Sequence, residues 1–271
     1  MSSSCTRFVL VAAAALTLVA PLAVKSADAA TMNTAPKAVA SAAAARTPAD
    51  DPQFTAAQVL AGVQQASTPD TQVNTEPHIN TMTRDMNVNV YQPVPGVYSY
   101  TSSLAVDDDG SDPDSDPDHQ DQTTFQDSNG DQLAAHHVPF YVLGDDCWDQ
   151  QSPCPHFFYQ EHDIQGLQFA LMFYQGKVIG SIFGDTQTGN DQTTSDNDSR
   201  ELGEASVKAA SLLGIPDSGT DGGVDNGVTV VIFSGPDWVL SGTNDDLNSN
   251  AQALVTKALN TLGTSLGLPT S

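Results

Sequence analysis

Short apolar runs with strand-like alternation are the feature that most constrains how this chain can fold. Four of them lie in the second half of the chain, at 138–143, 167–174, 178–183 and 228–233. Similar shorter runs lie upstream, at 88–90, 97–100 and 104–106. Such runs are typical of β-strands, and Gln175-Gly176-Lys177 between two of them predicts a hairpin. Many short strands and few helices predict an α+β fold dominated by β-structure, built on a strongly curved sheet or a small β-barrel.

Three other segments have the apolar spacing of helices. The first begins after Asp51-Pro52 and ends in the polar stretch 67–70. The second is predicted over 203–213, because Gly214-Ile215-Pro216 would stop it. The third is a C-terminal amphipathic helix over about 248–266, whose apolar stripe consists of Leu254, Ala258, Leu262 and Leu266.

The N-terminus has the pattern of an export signal. A basic residue precedes an apolar run over 8–20, and Ala27-Asp28-Ala29 is typical of a cleavage site. The run is too short to cross a bilayer, so we expect a signal peptide over 1–29, a secreted protein and no membrane span in the mature chain. A flexible Ala-, Thr- and Pro-rich leader is predicted over 30–53, followed by one folded domain over 54–271.

Two cysteines lie beyond the predicted signal, Cys147 and Cys154. In an oxidising compartment we expect them to form a local disulfide, and two reduced thiols are the alternative. His156 and His162 lie close to them in the sequence, but this spacing matches no zinc motif. No metal site is therefore predicted.

The chain is strongly acidic, with 33 Asp and Glu against 9 Lys and Arg and a formal net charge of −24. That balance argues against binding of nucleic acid, whose phosphates require clustered basic side chains. The segment 107–131 is the most acidic, and its Gly and Pro content predicts a solvated surface loop. Calcium binding by this loop is the alternative, although the ligand order and closing Glu of an EF-hand are missing.

Two carboxylates that follow the run at 178–183 are candidates for catalysis. Asp185 comes at the end of a predicted strand, and Glu204 lies in the first turn of the predicted helix. Rigid elements could hold both side chains at one cleft, where glycoside hydrolysis needs one protonated and one ionised carboxyl group. The alternative is that Asp185 forms a turn and Glu204 only favours the start of the helix.

The same two residues lie in a series of motifs that resembles one enzyme family. The motifs are Phe183-Gly-Asp-Thr186, Leu202-Gly-Glu-Ala-Ser206 and Gly222-Gly-Val-Asp-Asn-Gly-Val-Thr-Val-Val-Ile-Phe233. In this order the chain resembles the secreted chitosanases of glycoside hydrolase family 75, and with weaker matches upstream of these motifs the resemblance covers roughly 54–240. The resemblance implies an endo-acting hydrolase that cleaves β-1,4 bonds between the glucosamine units of chitosan with inversion. It further implies that Asp185 and Glu204 are the essential carboxylates of the domain over 54–271 and that no cofactor is needed.

Further residues are candidates for binding this cationic polymer. Asp107 and Asp109 are predicted to bind substrate ammonium groups, with a place in the solvated loop as the alternative. Trp238 is a candidate for stacking on a sugar ring, with core packing as the alternative. A Glu in the first turn of a helix is favoured in its ionised form, which predicts Glu204 as general base and Asp185 as general acid. We expect a monomer.

Two other functions are compatible with the sequence. One is a non-catalytic acidic surface protein that binds calcium or cationic polymers through 107–131. The other is a related glycosidase that acts on peptidoglycan. An enzyme would lose its function on substitution of Asp185 or Glu204, whereas such a binding protein would not.

Overall fold

The computed structural model describes most of the chain from residue 51 onward, over 51–75, 77–144, 158–187 and 201–270. The predicted signal peptide, nearly all of the predicted leader and the predicted disulfide partners Cys147 and Cys154 lie outside the described residues. The described elements are, in chain order, α1 (Ala56–Ala66), β1 (His78–Asn80), β2 (Met86–Val88), β3 (Tyr91–Val94), β4 (Val97–Asp107), β5 (Phe140–Gly144), α2 (Phe158–Glu161), β6 (Phe169–Tyr174), β7 (Lys177–Gln187), β8 (Glu201–Ser206), α3 (Val207–Leu213), β9 (Val224–Phe233) and α4 (Asn244–Ser265).

Six of these strands close into a β-barrel. They follow one another in the order β8, β5, β7, β6, β9 and β4, and β4 pairs again with β8. The pairs β4–β8 and β5–β7 are parallel, whereas the other pairs around the barrel are antiparallel. Strands β1 and β2 continue the sheet beyond β8, and β3 continues it beyond β4. The predicted β-dominated α+β fold with a small barrel is confirmed.

The hairpin predicted at Gln175-Gly176-Lys177 joins β6 to β7. The two strands pair in regular antiparallel register from Phe169 opposite Ile182 to Tyr174 opposite Lys177. Gln175 and Gly176 have φ of 45° and 82°, as the two central residues of a type I′ turn require. Gly176 adopts this conformation without the penalty that a side chain would bring, so the pair Gln-Gly fixes the register here.

Alternation along the strands divides the core into two apolar clusters. On β9, Val228, Val230 and Ile232 belong to one cluster, which also includes Ala209, Ala210 and Leu213 of α3. Val231 and Phe233 belong to the other, which includes the buried side chains of α1 and α4. Both faces of the barrel strands are therefore buried, which explains why their sequences are apolar at nearly every position.

The first and last helices lie close to their predicted positions. In α1, the N-cap hydroxyl of Thr55 accepts from the Gln58 N–H at 3.2 Å, and the Gln58 side chain accepts from the Thr55 N–H at 2.9 Å. This capping box explains why the helix begins there. Helix α4 begins at Asn244 rather than 248, because the Thr243 and Asp246 side chains form a second capping box. Among the described residues, none of the helices combines the length and the apolar character that crossing a bilayer requires.

The prediction of a helix over 203–213 is wrong at its start. Residues 201–206 form strand β8, and α3 begins only at Val207. Gly203 has a φ of 116°, which no α-helix accommodates, and Ser206 is the N-cap of the helix that follows. Glu204 therefore lies in a strand and not in the first turn of a helix.

Ser206 joins three parts of the fold through one buried hydroxyl. Its side chain accepts from the N–H groups of Phe140 at 3.0 Å and Ala209 at 3.2 Å, and it donates to the carbonyl of Val138 at 2.7 Å. The residue is fully buried. Loss of the hydroxyl would leave a strand N–H, a helix N–H and a carbonyl without this partner in the interior.

We expect Ser206→Ala to lower the free energy of unfolding by about 2–3 kcal/mol, because a helix cap and buried hydrogen bonds are lost together. Urea denaturation followed by circular dichroism measures this change. Ser211→Ala on the exposed face of α3 is the matched control and should stay within about 0.5 kcal/mol of the wild type. Equal stabilities of the two variants would contradict the role given to Ser206.

Candidate active site

The register of three barrel strands brings Asp185 and Glu204 to the same place. Val142 on β5 is the register partner of Asp185 on β7 and also of Glu204 on β8. Residues directly opposite on neighbouring strands point to the same face of a sheet. Since neighbouring strands lie about 4.8 Å apart, the two carboxylates project from Cα atoms roughly 10 Å apart. That spacing leaves room between them for a substrate bond and a water molecule.

A cleft of about 320 Å³ lies at these residues. Its described lining is polar throughout except for Val142, and it includes no Lys or Arg. The residues that line it are Asp107, Asp109, Gln120, Gln122, Thr123, Thr124, Val142, Asp185, Thr186, Gln187 and Glu204. Four carboxylates without a basic residue among these side chains form a site suited to a cationic, hydroxyl-rich ligand.

Gly203 allows β8 to approach β4 closely beside this cleft. A Cβ atom at this position would lie 2.4 Å from the side-chain oxygens of both Ser102 and Ser103. Those hydroxyls donate to the carbonyls of Leu202, at 2.6 Å, and of Gly203, at 3.2 Å. Only glycine combines the positive φ with this close contact, so the motif Leu-Gly-Glu places Glu204 at the junction of β8 and β4.

Asp185 is held by hydrogen bonds to one of its oxygens. Its Oδ1 accepts from the N–H of Thr124 at 2.8 Å, from the hydroxyl of Thr124 at 2.6 Å and from the N–H of Thr186 at 2.7 Å. Burial raises the pKa of Asp185, whereas these three hydrogen bonds act in the opposite direction because they favour the ionised form. Thr124 was not among the predicted site residues, since nothing in its polar sequence neighbourhood marks it.

Glu204 has a different environment. Its Oε2 is buried and has no hydrogen-bond partner among the described residues. Burial, together with the nearby carboxylates of Glu201 and Asp185, raises the pKa of Glu204 to about 8. Glu201 itself does not line the cleft, because it is buried in an ion pair with Arg84. Glu204 is therefore the glutamate of the motif that faces the cleft.

Asp107 and Asp109 lie on the β4 side of the same cleft. Asp107 is buried, and its Oδ1 accepts from the N–H of Asp109 at 2.8 Å. Burial and the charges of Glu204 and Asp185 raise the pKa of Asp107 well above its usual range. Asp109 is partly buried and accepts from the backbone and side-chain nitrogens of Gln120 at 2.6 and 3.1 Å. The alternative was that both residues belong to the solvated loop, but neither side chain is freely solvated.

Trp238 does not line the cleft. Its ring packs against the rings of Phe233 and Phe169, with centroid distances of 4.4 and 5.7 Å, and the Lys257 ammonium lies 4.6 Å from its centroid. This position corresponds to the core-packing alternative. Stacking of Trp238 on a sugar ring stays a prediction without support from the cleft.

One group of side chains has the composition of a cation site. Asp108, Asp109 and His119 each place a potential ligand atom within 4.8 Å of the others. The His119 Nδ1 lies 2.8 Å from the Asp108 carbonyl and Asp109 accepts a hydrogen bond from Gln120, whereas Asp108 Oδ2 and His119 Nε2 are buried without a hydrogen-bond partner among the described residues. The group lies in the segment 107–131, for which calcium binding was the alternative.

The different hydrogen bonding of the two central carboxyl groups changes the expected division of roles. The prediction of Glu204 as general base rested on the dipole of a helix, and Glu204 lies in a strand. Burial raises the pKa of both groups, but Asp185 also receives three hydrogen bonds that favour its ionised form, and Glu204 Oε2 receives none from the described residues. This difference favours Glu204 as the proton donor and Asp185 as the proton acceptor of the two.

A barrel that places two carboxyl groups across one polar cleft has the arrangement that glycoside hydrolases use. Comparison with known families agrees with that class: the family described as "Fungal chitosanase of glycosyl hydrolase group 75" matches residues 104–267, more than half of the chain. The chain belongs to this family and is a glycoside hydrolase of the chitosanase type, with a polysaccharide as substrate. All residues that line the cleft lie within the matched segment. A search of the curated proteins finds no match.

The raised pKa of Glu204 predicts a change of stability with pH. Its pKa is about 8 in the folded chain against an ordinary value of 4.5, so protonated Glu204 stabilises the fold fully below pH 4.5. This contribution is lost as the pH rises from 4.5 to about 8. We therefore expect Glu204→Gln to gain stability relative to the wild type between these two pH values.

Urea denaturation at both pH values measures this difference. Glu161→Gln on the exposed end of α2 is the matched control and should follow the wild type at both. A constant difference between Glu204→Gln and the wild type would show that Glu204 titrates normally.

Proposed function

We propose that this chain is a secreted, endo-acting chitosanase that cleaves β-1,4 bonds between glucosamine units with inversion of configuration. The observation that carries this proposal is the pair of carboxyl groups on the two sides of Val142, of which Asp185 accepts three hydrogen bonds and Glu204 Oε2 accepts none from the described residues. Secretion is supported by the export pattern over 1–29, and the endo mode by the resemblance of the motifs to the chitosanases of family 75.

In the proposed reaction, Glu204 is the general acid and Asp185 the general base. Glu204 donates its proton to the glycosidic oxygen as the bond from that oxygen to the anomeric carbon breaks. Asp185 accepts a proton from a water molecule whose oxygen forms the new bond to the same carbon from the opposite face. All hydrogen bonds described for Asp185 end on Oδ1, which leaves Oδ2 as the oxygen that receives the proton.

The charge of the cleft supports a polyamine substrate. Asp107 and Asp109 add two further carboxyl groups to the lining, close to where the sugar units adjoining the scissile bond would lie. Chitosan carries protonated amines in mildly acidic solution, and a chain with a net charge of −24 attracts such a polymer at low ionic strength. We infer that Asp109, the less buried of the two, binds a substrate ammonium group.

We expect Asp185→Asn and Glu204→Gln each to lower the hydrolysis rate of soluble chitosan at least about 100-fold, because each removes one proton-transfer group. Loss of viscosity and release of reducing ends at about pH 5.5 measure the rate. Asp237→Asn and Glu161→Gln change exposed carboxylates outside the cleft and should retain wild-type rates.

Three results would contradict the proposal. Folded wild-type chain without activity on chitosan would exclude this substrate, and activity on peptidoglycan in the same assay would favour the related glycosidase. Full activity of both cleft variants would place the reaction elsewhere.

Inversion makes a prediction of its own. If water attacks from the face opposite the leaving group, the first product of a β-linked substrate is the α-anomer. Proton NMR spectra recorded within minutes of mixing the enzyme with chitosan oligomers should show the α-anomeric signal rise first. A β-anomer formed first would show retention and exclude Asp185 as the base that activates water.

A further inference from the structure

We propose that Thr124 is a positioning residue of this active site. Its hydroxyl, which belongs to the acidic loop over 107–131, orients Asp185 and favours the ionised form of that carboxyl group. The inference rests on the proposed function, in which Asp185 is the general base. Thr124 lies 61 residues before Asp185 in the sequence and belongs to none of the motifs of the family resemblance.

Two of the three donors to Asp185 belong to Thr124. Its N–H and its hydroxyl both reach Oδ1, at 2.8 and 2.6 Å, and the third donor is the N–H of Thr186. A separation of 2.6 Å is typical of a hydroxyl that donates to an ionised carboxylate. With Oδ1 held from two sides, the carboxylate has a fixed orientation and Oδ2 is the oxygen that remains for water.

The direction of the hydrogen bonds around Thr124 follows from its single hydroxyl proton. That proton is donated to Asp185, so the contact of 2.8 Å between the hydroxyls of Thr124 and Thr186 has Thr186 as its donor. The Thr186 N–H also points at the Thr124 oxygen, at 3.3 Å. These bonds polarise the Thr124 hydroxyl and strengthen its donation to the carboxylate.

The residues on both sides of Thr124 are anchored to the fold. The Thr123 hydroxyl donates to the Phe125 carbonyl at 2.7 Å and accepts from the Leu133 N–H at 3.0 Å. The Phe125 ring contacts the edge of Phe183 on β7, with centroids 4.9 Å apart, and the Phe125 N–H donates to the Gly184 carbonyl at 3.3 Å. Thr124 is thus fixed to the strand that carries Asp185, although its own side chain is exposed.

Loss of the Thr124 hydroxyl should change the pH dependence of hydrolysis and have little effect on the fold. Thr124→Val removes the side-chain donor and keeps the shape of the side chain and both backbone donors to Oδ1. With one bond to the ionised form lost, we expect the pKa of Asp185 to rise by about 0.5–1 unit. The acidic limb of the kcat/KM profile should move to higher pH by the same amount, because the base must be ionised.

The experiment compares the wild type with three variants. Thr124→Ser restores the hydroxyl and should restore the wild-type profile. Thr220→Val is the matched control. It also removes a Thr hydroxyl that donates to a carboxylate, that of Asp116, with an O–O distance of 2.5 Å, and neither residue lines the cleft. The pH profile of chitosan hydrolysis is one readout, and the carbon-13 titration of the Asp185 carboxyl group, assigned with Asp185→Asn, is the other.

The two readouts separate the failure of this inference from the failure of the proposed function. A shifted titration and a shifted acidic limb in Thr124→Val alone would support the role of Thr124. An unchanged Asp185 titration in Thr124→Val, or the same shift in Thr220→Val, would overturn it whatever the activity. A wild type that leaves chitosan intact would refute the proposed function, while the titration would still decide whether Thr124 controls Asp185.

Discussion

The parallel pairing of β4 with β8 is the contact that closes the barrel and completes the lining of the active site. Without it the six strands form an open curved sheet, and Asp107 and Glu204 lie at opposite ends of that sheet. The pairing is made possible by Gly203, whose missing side chain admits the hydroxyls of Ser102 and Ser103. The same residue that closes the barrel therefore brings the acidic end of β4 against the proposed general acid.

Closure also places like charges together, and this opposes folding. Asp107, Asp185 and Glu204 line one cleft, and the charge of Asp185 disfavours ionisation of both Asp107 and Glu204. The penalty of ionisation is offset unequally, because Asp185 receives hydrogen bonds from Thr124 and Thr186 whereas Glu204 Oε2 receives none from the described residues. When two carboxyl groups in one site differ in this way, one is favoured as the proton donor and the other as the proton acceptor.

The structural elements that depend on local periodicity could be predicted from the sequence. The barrel strands other than β8 were predictable because both of their faces are buried, and the hairpin was predictable because Gln175-Gly176 supplies two positive φ angles. Strand β8 was missed, since Glu-Leu-Gly-Glu-Ala-Ser has no apolar alternation and its strand character comes from pairing on both edges. Asp185 and Glu204 were identified by motif resemblance, whereas Thr124 depends on a loop contact that no spacing encodes.

The long sequence separation across the β4–β8 junction has a consequence for how the protein matures. Ser102 and Leu202, which are hydrogen-bonded there, lie 100 residues apart in the chain. Closing so long a loop carries an entropic penalty that only the completed barrel offsets, and non-local parallel pairs of this kind form slowly. Asp185 and Glu204 meet through β5, but Asp107 and Asp109 reach them only by that closure, so the lining of four carboxyl groups is complete only in the closed barrel.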